Sequence, residues 1–252
     1  MTVIILCAGY ATRLAPLTDS TPKSLLPIAE RPLLNYLIDN VKKVPGHNQI
    51  FIVSNTKFFG AFCAWQKEFY PQEPVHILND GSTSNENRLG AIRDIEFVLN
   101  QKKISDDCLI LAGDNFFRFD LTQFVTSAKN KRPAVMLAVY DVQDLNLAKR
   151  YGLVACNSEE RITDFFEKPK EPITTLASTG VYFFPEESLV LLRKYLEGHQ
   201  NPDAPGHYIQ WLVGCSKVFA FPFQGAWYDI GDFESYRKAD QEIRKFSSPK
   251  FA

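Results

Sequence analysis

The 252-residue chain has no excess of either charge: 28 Lys and Arg stand against 29 Asp and Glu, for a net charge of −1. Without a basic run there is nothing to meet a phosphate backbone, which argues against nucleic acid as a partner. Long apolar runs are also absent. The N-terminal MTVIILCAGY is apolar for only a few residues and has no basic leader, so it does not read as a signal peptide. No segment approaches the roughly 20 apolar residues of a membrane span. Cysteine is sparse: Cys7, Cys63, Cys108, Cys156 and Cys215 are odd in number and contain no C-x-x-C. That pattern predicts buried free thiols in a reducing compartment rather than disulfides or a metal site. The four histidines, His47, His76, His199 and His207, show no metal-ligand spacing. Together these absences predict a cytoplasmic protein that engages neither membrane nor nucleic acid.

What is present is the material of a folded core. Apolar residues make up 45% of the chain and charged residues 23%, which excludes disorder as the dominant state. Apolar runs expected as strands (2–7, 50–53, 75–78, 108–112) alternate with stretches of helical spacing (33–44, 58–69, 89–99). That alternation predicts βαβ units on a mostly parallel sheet, an α/β architecture. After residue 130 the pattern changes: strands are expected at 134–140, 152–156, 162–166 and 181–184, with helices at 186–196, near 208–213 and at 233–246. No repeat, low-complexity segment or linker divides the chain, so a single domain over 1–252 is expected.

The first strand runs into Ala8-Gly9-Tyr10-Ala11-Thr12-Arg13-Leu14, a turn of small residues whose backbone N–H groups can receive phosphate oxygens. It is neither G-x-G-x-x-G nor a P-loop. Pro16, Pro22 and Pro27 stiffen the following loop and fix where Arg13 and Lys23 point. Two cations held beside N–H donors suit a triphosphate. The segment Leu6 to Ile28 resembles the signature G-x-G-[ST]-R-L-x-P-x-T-x-x-x-P-K-x-L-x-P-[IV] of sugar-1-phosphate nucleotidyltransferases, which include glucose-1-phosphate thymidylyltransferases. Ala11 stands where the family often has Gly, which predicts that no positive φ is required there.

Four further motifs follow in the family's order: Gly113-Asp114-Asn115, Tyr151-Gly152 with Glu167-Lys168-Pro169, Thr179-Gly180-Val181-Tyr182, and Trp227-Tyr228-Asp229-Ile230-Gly231. The resemblance implies a Rossmann-like three-layer α/β/α nucleotidyltransferase fold with a mixed, mostly parallel central sheet. It implies a nucleotide-binding part over about 1–130 and a sugar-phosphate-binding part over about 131–252. It also implies the roles. Leu6, Ala8, Gly9, Ala11, Thr12, Arg13, Asn87, Gly90 and Asp114 would hold the nucleotide. Tyr151, Gly152, Glu167, Lys168, Thr179 and Gly180 would hold the sugar phosphate. Asp114 and Asp229 would carry Mg²⁺, with Arg13, Lys23 and Lys168 as the catalytic cations. The expected reaction joins a nucleoside triphosphate and a sugar 1-phosphate, giving an NDP-sugar and pyrophosphate.

The physical need for such groups is independent of any family, because two polyanions must be brought together before attack at phosphorus. Asp232 reads instead as a helix cap. Base choice is expected to lie in Asn85 to Gly90, with Asn87 and Arg88 as readers. Two rivals share parts of this pattern: a cytidylyltransferase acting on an alcohol phosphate such as phosphocholine or inositol phosphate, and a non-catalytic nucleotide-binding module. The aligned acceptor motifs favour a sugar, and retention of both aspartates favours catalysis. A homo-oligomer is left open. The sequence stops soon after the last expected helix, so no hexapeptide-repeat tail is expected.

Overall fold

The computed structural model describes residues 1–198 and 200–247; His199 and the last five residues lie outside it. In chain order the elements are β1 (Thr2–Leu6), β2 (Pro27–Ile28), β3 (Arg31–Pro32), α1 (Leu33–Lys42), β4 (Gln49–Ser54), α2 (Phe59–Phe69) and β5 (Val75–Asn79). Then come α3 (Ala91–Lys102), β6 (Cys108–Ala112), β7 (Asn115–Arg118), α4 (Leu121–Asn130), β8 (Val135–Asp141), α5 (Leu145–Ala148), β9 (Gly152–Cys156) and β10 (Ile162–Glu167). The chain closes with β11 (Leu176–Phe184), α6 (Leu189–Glu197), α7 (Pro205–Cys215), β12 (Val218–Pro222), β13 (Ala226–Asp229) and α8 (Phe233–Ser247).

Nine strands form one mixed sheet. Its path runs β10-β9-β11-β6-β1-β4-β5, with β8 joined to β11 and β12 joined to β8. The half that carries β6, β1, β4 and β5 is parallel, and β11 enters antiparallel to β6. This is the α/β architecture expected from the alternating pattern. Successive residues of a strand face opposite sides, and β1 uses both: Val3 and Ile5 face α1, α2 and α4, whereas Ile4 faces α3, α6 and α7. Each fully buried aliphatic side chain contributes about 1.5–3 kcal/mol, so a strand buried on both faces is a strong anchor for the loop that follows it.

A third, smaller cluster matters most for function. Leu14, Leu26 and Ile28 of the Pro-rich loop pack with Leu33, Phe116, Ile230, Ala239 and Ile243. It ties the loop after β1 to β7, to the end of β13 and to α8. The short ribbon of β7 and β13, which pairs Asp229 with Asn115 in register, completes the clamp. Asp232 caps α8 as expected: its Oδ1 accepts from the Ser235 backbone N–H at 2.9 Å.

Among the described residues no helix is long and apolar enough to cross a membrane. The five cysteines are free, but only Cys7 and Cys108 are buried. Cys63 and Cys156 are half-buried and Cys215 is exposed, correcting the expectation that all five lie inside. Cys215 closes α7, where the helix turns toward solvent.

Candidate active site

The expected residues gather at the carboxyl ends of β1 and β6, where open α/β sheets bind ligands. Gly113 lets these two strand ends close on each other. Its N–H donates to the Leu6 carbonyl at 3.0 Å, and a Cβ there would come within 2.3 Å of Cys7 Sγ. Asp114, the next residue, accepts from Lys23 Nζ at 2.5 Å. Its other oxygen accepts from Asn115 Nδ2 at 2.8 Å, while Asn115 Oδ1 accepts from Trp227 Nε1 at 2.7 Å. A chain of hydrogen bonds thus runs from Trp227 through buried Asn115 and Asp114 to Lys23, and it fixes the Asp114 carboxylate on both sides.

Asp229 arrives beside this chain from 115 positions away. The Ile230 N–H donates to the Asp114 carbonyl at 3.0 Å. Arg13 joins from the Pro-rich loop: a Cβ built on Gly231 would lie 3.6 Å from both Arg13 Nη2 and Asp229 Oδ2. The charges separate the two aspartates. Burial and then the neighbouring Asp114 carboxylate push Asp229 up to about 6. Burial opposes ionisation of Asp114 too, but the charge and hydrogen bond of Lys23 hold it below its ordinary value. Two carboxylates and two cations therefore share one small volume.

The residues expected to hold the acceptor lie on or beside β9, β10 and β11. Glu167 Oε2 sits so close to Gly152 and Gly206 that a Cβ would fall 3.2 Å and 1.9 Å from it, respectively. Those glycines let β9, β10 and the start of α7 meet. Lys168 has φ +46 and its N–H donates to the Tyr151 carbonyl at 3.2 Å, which turns its exposed side chain out of the strand. The Tyr151 ring meets Trp227 edge-on at 4.8 Å. Thr179 Oγ1 donates to the Ala138 carbonyl at 2.8 Å, and Gly180 (φ +73) packs on Ala112. Thr179 and Gly180 thus shape the wall. A cavity of about 730 Å³ lined by Tyr140, Arg150, Tyr151, Trp227, Tyr228 and Asp229 opens beside this wall, within the size range of small-molecule sites.

On the nucleotide side Ala8 is buried, its carbonyl accepting from Asn55 Nδ2 at 2.8 Å. Gly9 and Thr12 are exposed at the loop's surface. Ala11 departs from expectation. It adopts φ 50, ψ 39, and its carbonyl accepts from Thr18 Oγ1 at 2.9 Å and from the Leu14 N–H at 3.0 Å. The left-handed turn is required after all, and its hydrogen bonds hold Ala in it at a cost of about 1–2 kcal/mol. Ala11→Gly should therefore raise stability in urea unfolding by about 1 kcal/mol; a loss of stability would show that the turn carries no strain.

Two expected base readers have other duties. Asn87 Oδ1 accepts from the Thr83 and Ser84 N–H groups and its Nδ2 donates to Thr83 Oγ1, so this side chain closes its own turn. Gly90 (φ +89) presses on Pro202 and Asp203, leaving 2.7 Å for a Cβ, so it lets two backbones meet. Arg88 is clasped by Asp203, with Nε and Nη2 each 2.7 Å from a carboxylate oxygen.

Comparison with known proteins agrees with this geometry. The family description "Nucleotidyl transferase" matches residues 2–245. The chain belongs to the nucleotidyl transferase family. The resemblance to sugar-1-phosphate nucleotidyltransferases read from the motifs is thereby borne out. A Sulfolobus acidocaldarius protein named as a mannose-1-phosphate guanyltransferase is 27% identical over 257 residues, covering 99% of this chain and 65% of its own length. A glucose-1-phosphate adenylyltransferase of Thermosipho africanus is 27% identical over 256 residues, covering 96% and 61%. The chain thus spans less than two thirds of the length of these relatives. A solved Bacillus anthracis structure, named as a glucose-1-phosphate thymidylyltransferase in complex with sucrose, superposes with a TM-score of 0.83 at 20% identity, over 99% of this chain and 98% of that one. At that identity it establishes the fold of this nucleotidyl transferase.

Sequence reasoning missed two features around these residues. Asn115 stood inside a quoted motif, yet its buried position between Asp114 and Trp227 becomes visible only once β7 pairs with β13. Asp203, the partner of Arg88, belongs to no motif.

Proposed function

We propose that this nucleotidyl transferase joins a nucleoside triphosphate to a sugar 1-phosphate, releasing pyrophosphate. The observation that carries the reading is the meeting of Arg13, Lys23, Asp114 and Asp229 at one strand end, with Lys168 on the opposite wall. An acceptor phosphate oxygen attacks the α-phosphorus in line, a new P–O bond forms, and the bond to the β-phosphate oxygen breaks. No covalent enzyme intermediate is needed. Arg13 and Lys23 face the departing pyrophosphate, and Lys168 faces the incoming phosphate. Their work is neutralisation and positioning, the main source of catalysis in phosphoryl transfer.

Mg²⁺ fits the same residues. Among the described residues no group of three or more His, Cys, Asp or Glu forms a closed metal cage. Mg²⁺ is commonly held by one or two carboxylates together with substrate phosphates, and Asp114 and Asp229 supply that pair. Bound there it would neutralise phosphate charge. Burial and then the facing Asp114 carboxylate push Asp229 up to about 6, and a cation bound between the two would offset that repulsion.

The test is pyrophosphate release across four nucleoside triphosphates and a dozen phosphorylated acceptors, sugars and alcohols included. Release only with phosphocholine or an inositol phosphate would select the rival acceptor class, and release with none would remove the enzymatic reading. Lys168→Ala should lower kcat/KM for the acceptor about a hundredfold while leaving triphosphate binding, measured by calorimetry without acceptor, nearly intact. Equal weakening of triphosphate binding would place Lys168 on the other substrate.

A further inference from the structure

The clasp between Arg88 and Asp203 is stronger in geometry than its setting requires. Both nitrogens of the guanidinium fork reach both carboxylate oxygens at 2.7 Å, and a third, Nη1, donates to the Asn85 carbonyl at 2.7 Å. Yet the side chains are 37% and 46% exposed, and exposed ion pairs contribute little to stability. Its position is more informative. Asp203 lies two residues before Pro205, the first residue of α7, and the next residue, Gly206, abuts Glu167. Lys168 follows Glu167 directly. Hydrogen bonding by Arg88 holds the Asp203 carboxylate below its ordinary value, against burial, and the charges of Lys168 and His207 act in the same direction. Arg88, from the loop before α3, and Lys168, after β10, thus act on one carboxylate.

We propose that Arg88 completes the acceptor-phosphate site begun by Lys168, and that Asp203 is the carboxylate which the incoming phosphate displaces. The inference rests on the transferase reading above. A guanidinium fork fits a phosphate's oxygens as well as a carboxylate's. A phosphomonoester dianion carries more charge than Asp203. The loop bearing Arg88 is positioned by Gly90, which presses on Pro202 and Asp203, and by the Ala91 N–H, which donates to the Asp203 carbonyl at 3.3 Å. That backbone contact keeps the fork beside the site when its carboxylate partner is exchanged. Asp80 and Asp94 also face this region. Burial, then the charges of Asp80 and Asp203, push Asp94 up to about 8, so Asp94 is largely uncharged at neutral pH and does not compete for the cations. Arg88 therefore serves the acceptor rather than the base.

Steady-state pyrophosphate release with the acceptor varied at saturating triphosphate, together with calorimetric triphosphate binding without acceptor, tests this on the full chain. Arg88→Gln should lower kcat/KM for the acceptor about tenfold or more, as expected for loss of a charged hydrogen-bonded partner, with triphosphate affinity changed less than twofold. Arg88→Lys should recover only part of the loss, because it keeps the charge and lacks the fork. Asp203→Asn should act in the opposite direction, lowering acceptor KM by removing the competing carboxylate. A rise in acceptor KM for Asp203→Asn as large as for Arg88→Gln would overturn the proposal and mark the clasp as a structural strut. A changed ranking among the four triphosphates in Arg88→Gln would overturn it in favour of base reading. Wild-type protein that releases no pyrophosphate with any acceptor would instead remove the transferase reading, an outcome seen before any variant is made.

Discussion

Asp229→Asn is expected to make the substrate-free protein more stable at neutral pH and, in the same molecule, nearly inactive. The folded protein holds Asp229 at about 6, through burial and the facing Asp114, against an ordinary value of 3.8. Between those values the folded state takes up a proton that the unfolded chain does not. Stability therefore falls as pH rises through this window, and the full penalty of two facing carboxylates persists above it. Asn has no charge to bury, so the advantage of the variant should grow from pH 4 to pH 7 and then level off. Activity should move the other way. If the proposed phosphate and cation site is right, removing one of its carboxylates should cost about 3 kcal/mol of transition-state stabilisation, a hundredfold or more in rate. Asp114→Asn should be as inactive but less stable, since Lys23 favours the charged form of Asp114. Thermal unfolding between pH 4 and 8, with and without Mg²⁺ and triphosphate, is the measurement. Wild type should gain stability from Mg²⁺ with triphosphate, and Asp229→Asn should gain little. A variant that melts earlier than wild type at pH 7.5, or turns over normally, would refute the assignment of Asp229.

Such opposed effects arise because the two aspartates were never neighbours in sequence. The motifs around Asp114 and Asp229 were legible as types of residue at strand ends, and so were the strands that carry them. Cys108–Ala112 and Gly152–Cys156 were read with their observed limits. What composition and spacing could not convey was pairing. β7 and β13 are four residues each, too short for a periodic signal, and they form only because each is the other's partner. β12 ends at Pro222 on the open side of β8, an edge position that tolerates proline. α4 was legible and went unread: Leu121, Phe124, Val125 and Ala128 recur at helical spacing behind Asp120, whose side chain accepts from the Thr122 and Gln123 N–H groups.

The contacts of the segment expected to read the base were hidden for a different reason. Asn87 and Arg88 have the right chemistry for a nucleobase edge, and nothing in sequence says whether a polar side chain faces a ligand or its own loop. Asn87 turns inward to Thr83 and Ser84, and Arg88 reaches a carboxylate 115 positions away. Ala11 teaches the converse lesson. A residue type that argues against a left-handed turn was overruled by two hydrogen bonds to its carbonyl, since tertiary contacts that hold a turn can outweigh a local preference of about 1 kcal/mol.

Lys23→Gln should produce the largest combined loss, and its dependence on pH is what identifies the cause. Lys23 Nζ lies 2.5 Å from Asp114 Oδ2, with its side chain only 17% exposed and that of Asp114 32%. Its charge also acts on Asp229, lowering a carboxylate that burial and Asp114 raise. Without it, two largely enclosed carboxylates face each other, with the charges of Arg13 and Arg150 still acting on Asp229. Breaking a buried pair by removing one partner costs about 3–5 kcal/mol, and partial exposure reduces that to about 2 kcal/mol here. The sign of the pH dependence follows. Asp114 is held below its ordinary value mainly by Lys23, so in the variant its folded-state value rises, and protonation relieves the repulsion. The destabilisation should be full above pH 7 and shrink as pH falls through about 6 and below. Mg²⁺ with triphosphate should restore part of the lost stability, because a cation between the aspartates replaces the missing ammonium. Turnover should remain at least about a hundredfold down under all these conditions, since the departing pyrophosphate loses its partner. Lys23→Arg keeps the charge in a wider head group, so it should recover stability better than rate. A loss of stability in Lys23→Gln that is flat from pH 5 to 8 would show that packing of the lysine stem, not the carboxylate pair, is what the residue supports. A wild-type rate in the same variant would remove Lys23 from the transfer step.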